Sequence, residues 1–130
     1  MKLLSRLLGR PEVIIDFIFK EGLLYISVKN IGALSAYKIS IRFNKRFFGV
    51  EGTKGISSMG LFKNIEFMPP QKEIITFLDV SSSYFRREEP EKISAELTYF
   101  DSKKRKYSEK IKHDLSIYRD IGYIVPQSSG

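Results

Sequence analysis

Cysteine is absent from the 130-residue chain, which removes disulfides, thiol nucleophiles and cysteine-based zinc sites together and fits a reducing compartment. Histidine is nearly absent: with His113 alone, a histidine-rich metal site within one chain is excluded. Long apolar runs are missing as well. The opening MKLLSRLLGRPEV places Leu3, Leu4, Leu7 and Leu8 on one helical face, but Arg6 interrupts them. A secretory signal needs about 7 to 15 uninterrupted apolar residues and a spanning helix about 20. These absences predict a cytoplasmic protein. What remains at the start is a two-turn stub over residues 1–10, with Lys2, Arg6 and Arg10 on its polar side and Gly9 and Pro11 ending it. So short a helix forms only against a surface, either that of its own domain or, as the weaker reading, an anionic membrane to which the protein is then peripheral.

Apolar side chains suited to strands are plentiful. Ten Phe, seven Tyr and 16 Ile supply too much apolar surface for a disordered chain, and the length suits one domain with a single core. The dominant period is two, in runs rich in Ile, Val, Phe and Tyr. Strands are expected over 13–19 and 23–28, joined by the tight Lys20-Glu21-Gly22 turn, and over 37–43, where Ile39, Ile41 and Phe43 alternate with Lys38, Ser40 and Arg42. Gly49, Gly52, Gly55 and Gly60 punctuate a long connection with a short edge strand near Ile56. Further strands are expected over 62–67 and 73–79, separated by a Pro69-Pro70 turn. After a polar loop over 81–90, a last hairpin runs from 93–100 to 107–115. About seven short strands without a long helix predict an all-β fold, an antiparallel β-sandwich over residues 11–118, with residues 119–130 as a C-terminal tail.

The most specific local motif is Asn30-Ile31-Gly32 followed by Ala36. Asn can hydrogen-bond a turning backbone, Gly tolerates positive φ, and a small Ala lets the chain cross closely over a sheet edge. The stretch LYISVKNIGALSAYKISIRF resembles the NxGxxxA strand-turn-strand of immunoglobulin-like (fibronectin III/CARDB-like) modules. With RPEVIIDF, IEFMPPQKEIITF, ELTYFD and YSEKIKHDLSIY, the chain resembles small uncharacterised prokaryotic proteins of that type over most of residues 10–118. The resemblance implies an immunoglobulin-like sandwich and brings no catalytic residues. Two departures stand out. Those relatives usually have Gly after the mid-chain Pro, whereas Gln71 follows Pro70 here, which predicts a type I rather than a type II turn. They also often carry a membrane span before the first strand, and the leucine stub here is too short for that attachment to transfer.

No catalytic constellation emerges. His113 shares a strand face with Ile111 and Leu115 and reads as a residue of the core edge rather than a general base. Asp16, Asp79, Asp101, Asp114 and Asp120 are scattered over turns and strand ends. Glu88, Glu89 and Glu91 flank Arg86, Arg87 and Lys92 as a solvated, self-neutralising loop. The run GVEGTKG superficially suggests a phosphate cradle, but Lys54 follows Thr53 with no helix to come, so the P-loop spacing fails; an ordinary crossover is expected. The chain is read as a non-enzyme without a cofactor.

Charge is the remaining clue. There are 22 Lys+Arg against 15 Asp+Glu, a formal +7, concentrated in residues 1–46 and 103–112, the latter opening with the unbroken turn Lys103, Lys104, Arg105, Lys106. If the strands follow the usual sandwich order, one outer face shows Lys38, Arg42, Lys110 and Lys112 with Glu96 between the basic rows, an arrangement of cross-strand neutralisation and edge protection. Arg46-Phe47-Phe48 and Tyr84-Phe85-Arg86-Arg87 juxtapose cations with aromatics, the combination that stacks bases and holds phosphates, although such aromatics usually plug sandwich ends. The expected function is a non-catalytic interaction module that binds a protein partner through loops or an edge strand. The candidate contacts are Lys103, Lys104, Arg105, Lys106, Arg46, Phe47, Phe48, Lys54, Arg86 and Arg87. The alternative is electrostatic binding to nucleic acid or an anionic membrane surface through the basic turn and the N-terminal third. Homo-oligomerisation through edge strands is a further expectation.

Overall fold

Alternating apolar residues build the first hairpin. Strand β1 (Val13–Lys20) buries Val13, Ile15 and Phe17, and β2 (Leu23–Asn30) buries Leu24, Ile26 and Val28, the period that places one face of each strand on a core. Lys20 pairs with Leu23 across Glu21 and Gly22, both at positive φ (51° and 81°), which is the two-residue hairpin geometry that follows the strand twist. The computed structural model describes residues 9–121. After β2 come β3 (Ala36–Phe43), a two-residue ribbon of β4 (Phe48–Gly49) and β5 (Lys54–Gly55), and β6 (Ile65–Met68). The chain continues through β7 (Glu73–Val80), β8 (Lys92–Phe100) and β9 (Lys106–Asp114).

A three-stranded sheet in the order β1-β2-β7 faces a four-stranded one in the order β6-β3-β8-β9, and all their pairings are antiparallel. This is the antiparallel all-β sandwich expected from the sequence, with seven strands in the two layers and the β4-β5 ribbon added. Its core interleaves the inner faces of both sheets, Phe17, Ile26 and Leu78 from one and Ile41, Leu97 and Tyr99 from the other. Each large aliphatic side chain so enclosed contributes roughly 1.5–3 kcal/mol.

Two segments differ from expectation. Phe62, expected to begin a strand, lies in a single helical turn (Gly60–Lys63) and is 1% exposed, its ring 5.0 Å from Phe43 edge-to-face; it plugs the sandwich end that the β3–β6 connection passes. Residues 81–90, expected as loop, begin with a helix (Ser81–Arg86) whose buried residues are Ser81, Ser83 and Tyr84. No helix among the described residues is long and apolar enough to cross a membrane.

The Asn30 side chain joins three parts of the chain. Its Oδ1 accepts from the N–H of Glu12 (3.1 Å) and of Gly32 (3.0 Å), and its Nδ2 donates to the carbonyls of Leu34 (2.9 Å) and Met68 (3.0 Å). The residue is fully buried, and so are its bonds to Glu12, Gly32 and Met68, while the one to Leu34 is partly buried. Gly32 serves by size rather than by positive φ: a Cβ there would meet Arg10 O and Glu12 N at 2.5 Å. The proline turn is also not type I. Gln71 has φ 70° and the Lys72 N–H reaches Pro69 O at 3.1 Å, which is type II geometry. The Gln71 N–H donates to Asn30 O at 2.8 Å and helps hold that left-handed conformation.

The outer edge of β1 is capped by side chains. Tyr118, in the helix Ser116–Arg119, donates to Phe17 O at 2.7 Å and stacks on Phe19. His113 has a backbone hydrogen bond at Ile15 and meets the Phe17 ring edge-to-face at 4.9 Å. Burial lowers its pKa below the ordinary 6.5, opposed by Asp16 and that hydrogen bond.

Asn30→Ala strands two donors and one acceptor in buried bonds and a second acceptor in a partly buried one, so chemical denaturation should show a loss of about 3–5 kcal/mol; a loss below ~1 kcal/mol would contradict the keystone role. For His113 the folded pKa lies below the unfolded one, so the unfolded chain takes the proton first as pH falls through 6.5 and stability declines. Denaturation midpoints measured between about pH 7.5 and 5 should fall in the parent chain. In His113→Phe they should stay level over the same window.

Candidate functional site

The residues singled out by composition fall at opposite ends of the sandwich. Strand β8 pairs with β3 from Ala95 opposite Phe43 at one end to Phe100 opposite Tyr37 at the other. Arg46, Phe47 and Phe48 follow the Phe43 end, whereas Lys103 to Lys106 turn beyond the Phe100 end. The candidates therefore do not form one site.

At the Phe43 end most of them are structural. Phe47 is fully buried, with its ring 5.0 Å from Phe43 and 6.1 Å from Phe17, so it belongs to the core and cannot be a surface contact. Arg87 is likewise a correction. Its Nη1 lies 2.8 Å from Oδ2 of the fully buried Asp79 and 2.7 Å from Ser83 Oγ, and its Nη2 donates to Phe48 O at 3.0 Å. Asp79 Oδ1 accepts from the N–H of Val80 (2.8 Å) and of Glu51 (3.0 Å), and Glu89 accepts from Phe48 N–H (3.0 Å). This network pins the glycine-rich ribbon to β7 and to the helix Ser81–Arg86. Arg87 and Glu89 thus belong to no solvated loop. Gly49 is required there by close approach, since a Cβ would stand 2.0 Å from Leu78 O. Arg86 and Lys54 are exposed, Phe48 is half-buried, and the Arg46 guanidinium lies 5.9 Å from the Phe48 ring.

The Phe100 end is different. Asp101, 4% exposed, organises the β8–β9 turn. It accepts from the backbone N–H of Lys103 (2.9 Å) and Arg105 (3.0 Å), from Arg105 Nε (2.7 Å) and from the Tyr107 hydroxyl (2.7 Å). Burial opposes its ionisation, but the Arg105 and Lys103 N–H groups with the Tyr107 hydroxyl and Arg105 side chain hold the carboxyl well below its usual range. Arg105 is thereby paired. Lys103, Lys104 and Lys106 are exposed, Lys104 at φ 63° at the tip of the turn.

Beside that turn opens a cleft of about 470 Å³ lined by Tyr37, Lys38, Phe100, Asp101, Ser102 and Lys104. Its walls are aromatic and its rim is cationic. Pairing across three strands sets Phe67 of β6 next to Tyr37 of β3, and Tyr37 next to Phe100 of β8; the Phe67 and Tyr37 rings are 5.3 Å apart, and Phe67 is 50% exposed. Lys106 continues the row on β9. Counting by two from Ile39 would send Tyr37 inward. A register shift between Tyr37 and Ser40, with Lys38 at φ 51°, inserts one residue and turns Tyr37 outward while Ala36 stays in the core. Tyr37 and Phe67 are the site residues that composition did not single out. Phe100 was accessible to the alternation, since Leu97 and Tyr99 point inward.

Further down the same outer face, Glu96 stands between Arg42 and Lys110 as expected, and bonds Arg42 at 2.8 Å. The pair is exposed, so it contributes little stability but cancels local charge. Arg10, expected on the polar side of the stub, is folded inward: it donates to the Tyr99 hydroxyl (3.1 Å) and to Glu109 (3.0 Å) and lies 4.3 Å over the Tyr107 ring. Burial, first of all, pushes Tyr99 up to about 12, keeping it a neutral hydroxyl. Residues 1–8 of the stub and 122–130 of the tail lie outside the described residues. Among the described residues no group of three or more His, Cys, Asp or Glu is placed to hold a metal ion.

No curated protein and no solved structure matches the chain. A family model described as Domain of unknown function (DUF8453) matches residues 2–119, a span that contains both sheets of the sandwich and every residue lining the cleft. The chain belongs to that family.

Proposed function

We propose that the protein is a non-catalytic interaction module, acting in the cytoplasm, whose working surface is the cleft between Tyr37 and Phe100 with its lysine rim. The partner is a protein segment that places an apolar or aromatic side chain between the two rings and acidic side chains against Lys38, Lys104 and Lys106. The observation that carries this reading is the joint placement of an apolar-walled cleft and exposed lysines at the turn that Asp101 holds in shape. Buried aromatic anchors ringed by charge are the usual source of binding energy at an interface. Asp101 spends its oxygens on the turn, which leaves the cleft without a carboxylate free for acid-base work.

The aromatic row Phe67, Tyr37, Phe100 favours a second reading, single-stranded nucleic acid stacked across the sheet with phosphates on the lysines. A phosphate track needs cations in succession along the face. Below the row come Ser40, Thr98 and Ser108, and then Arg42 already taken by Glu96. Lys110 and Lys112 carry charge further down β9, Lys110 beside Glu96, but no aromatic side chain accompanies them on that face; rings and free cations coincide only at the turn, which suits a short acidic segment better than a strand of many stacked bases.

Affinity capture on the immobilised full chain, with and without nuclease, should retain a protein that survives the nuclease. The double variant Lys38→Glu/Lys104→Glu should lose it. Loss on nuclease treatment alone would transfer the site to nucleic acid, and capture unchanged by the double variant would overturn the assignment of the cleft. Asp101→Ala removes one negative charge yet should weaken capture by about tenfold, a difference near 1.4 kcal/mol, because the turn that positions Lys104 is released. Tighter capture by that variant would mean that charge alone governs binding.

A further inference from the structure

The four outer edges of the sandwich are β1, β7, β6 and β9, and three of them are protected against pairing with another chain. Strand β9 carries Lys106, Lys110 and Lys112, the charges that discourage edge-to-edge association. Strand β6 is four residues long. The β1 edge is occupied by the hydrogen bonds of Tyr118 and His113 at Phe17 and Ile15. Strand β7 is only half protected. At its C-terminal end Val50 N–H donates to Leu78 O at 2.9 Å and Glu51 N–H reaches Asp79, but over residues 73–77 the sequence EIITF has no Lys or Pro, and no bond from another loop among the described residues covers it.

The outer face beside this open stretch is apolar. Ile75 is 55% exposed and Phe77 37%, with Tyr25 packed edge-to-face on Phe77 at 5.9 Å. Val50 (38%) and Val80 (36%) extend the patch at the far end. The charged residues of this sheet's outer face are Asp16 and Glu73 against Lys20 and Lys29. They cancel, on a chain whose total is +7. Like-charge repulsion between two copies is therefore weakest at this face.

We propose that a second copy of this chain pairs along the open half of β7, antiparallel and about a two-fold axis near Ile75. The axis makes the contact self-complementary, as a two-fold interface requires. It brings Lys72, just before one strand, toward the far end of its mate, where Glu51 of the other copy stands beside Asp79. Opposite charges then meet at both ends of the pairing, and Ile75 and Phe77 of the two copies share one continuous apolar face. Because the ribbon covers residue 78 onward, the pairing stops there and closes as a dimer rather than a growing sheet. This surface lies on the sheet opposite to the Tyr37–Phe100 cleft and leaves that cleft open in each copy.

Sedimentation velocity on the full chain over a concentration series should show a monomer–dimer equilibrium. Ile75→Lys changes a side chain already half in solvent, and should raise the dissociation constant by at least about tenfold with the thermal unfolding of the monomer unchanged. Glu51→Lys should weaken the dimer, and Glu51→Lys/Lys72→Glu should restore it. A chain that stays monomeric at all concentrations overturns the proposal. So does a dimer indifferent to Ile75→Lys, or open-ended polymers in place of dimers.

Discussion

The sandwich hangs on a single amide. Asn30 is buried where β2 ends, and its four side-chain hydrogen bonds reach Glu12 at the entry to β1, Gly32 and Leu34 in the β2–β3 turn, and Met68 at the end of β6. An Asn has two donors and two main acceptor directions, and here all are used on backbone groups, those of Glu12, Gly32 and Met68 in buried bonds. Its backbone holds the Pro69–Lys72 turn through Lys72 O and Gln71 N, so both crossings between the two sheets at this end are fixed from one residue. A hydrophobic core alone would not do this. Burial decides which face of each strand turns inward, whereas the amide specifies which carbonyl comes to which turn.

That constraint has a consequence at the Phe100 end. With Ala36 opposite Met68 and Tyr37 opposite Phe67, β3 enters its sheet in a phase set by the Asn30 turn. The core farther along requires Ile39 and Ile41 inward. The two demands differ by one residue, and the insertion at Lys38 resolves them. The outward Tyr37 wall of the cleft is therefore a product of the framework, obtained where two registers meet. Bulges are often found where a side chain is re-aimed toward a working surface.

The same reasoning explains what could be read in advance. Period-two patterning identified the strands of the sandwich within one or two residues, except that β6 begins at Ile65 rather than at Phe62, because burial on one face leaves alternation in the sequence. Asn30, Gly32 and Ala36 announced the turn, though Gly32 is needed for space rather than for φ. The bulge left no such trace, since Tyr37-Lys38-Ile39 reads as ordinary alternation and the shift appears only when Ala36 and Ile39 are required on one side. Phe62 was misplaced for a related reason: a single helical turn is too short to show a period. Arg87 looked like one member of a mixed-charge loop because its partner Asp79 lies outside that loop, buried on β7, and a buried ion pair has no local signature. Phe47 beside Arg46 raised the same ambiguity, which only the closing of the sandwich end decides.

The positive charge separates along residue type. The ion pairs among the described residues, Arg10 with Glu12 and Glu109, Arg42 with Glu96, Arg87 with Asp79 and Glu89, Arg105 with Asp101, and Arg119 with Glu91, are all made by arginine. A planar guanidinium can bond several acceptors at once while tolerating partial burial, and Arg87 and Arg10 do so at opposite ends of the molecule. An ammonium on a flexible stem gains less from a fixed partner and keeps its water. The lysines of β9, of the turn at Lys103 and Lys104, and of the bulge at Lys38 are left on the outer face of one sheet. The surplus over the acids is consequently a surface property of the four-stranded sheet, while the opposite sheet is balanced and apolar. One sequence thus presents two faces of unlike chemistry, and the charge that looked diffuse along the chain is directed by which residue types the framework consumes.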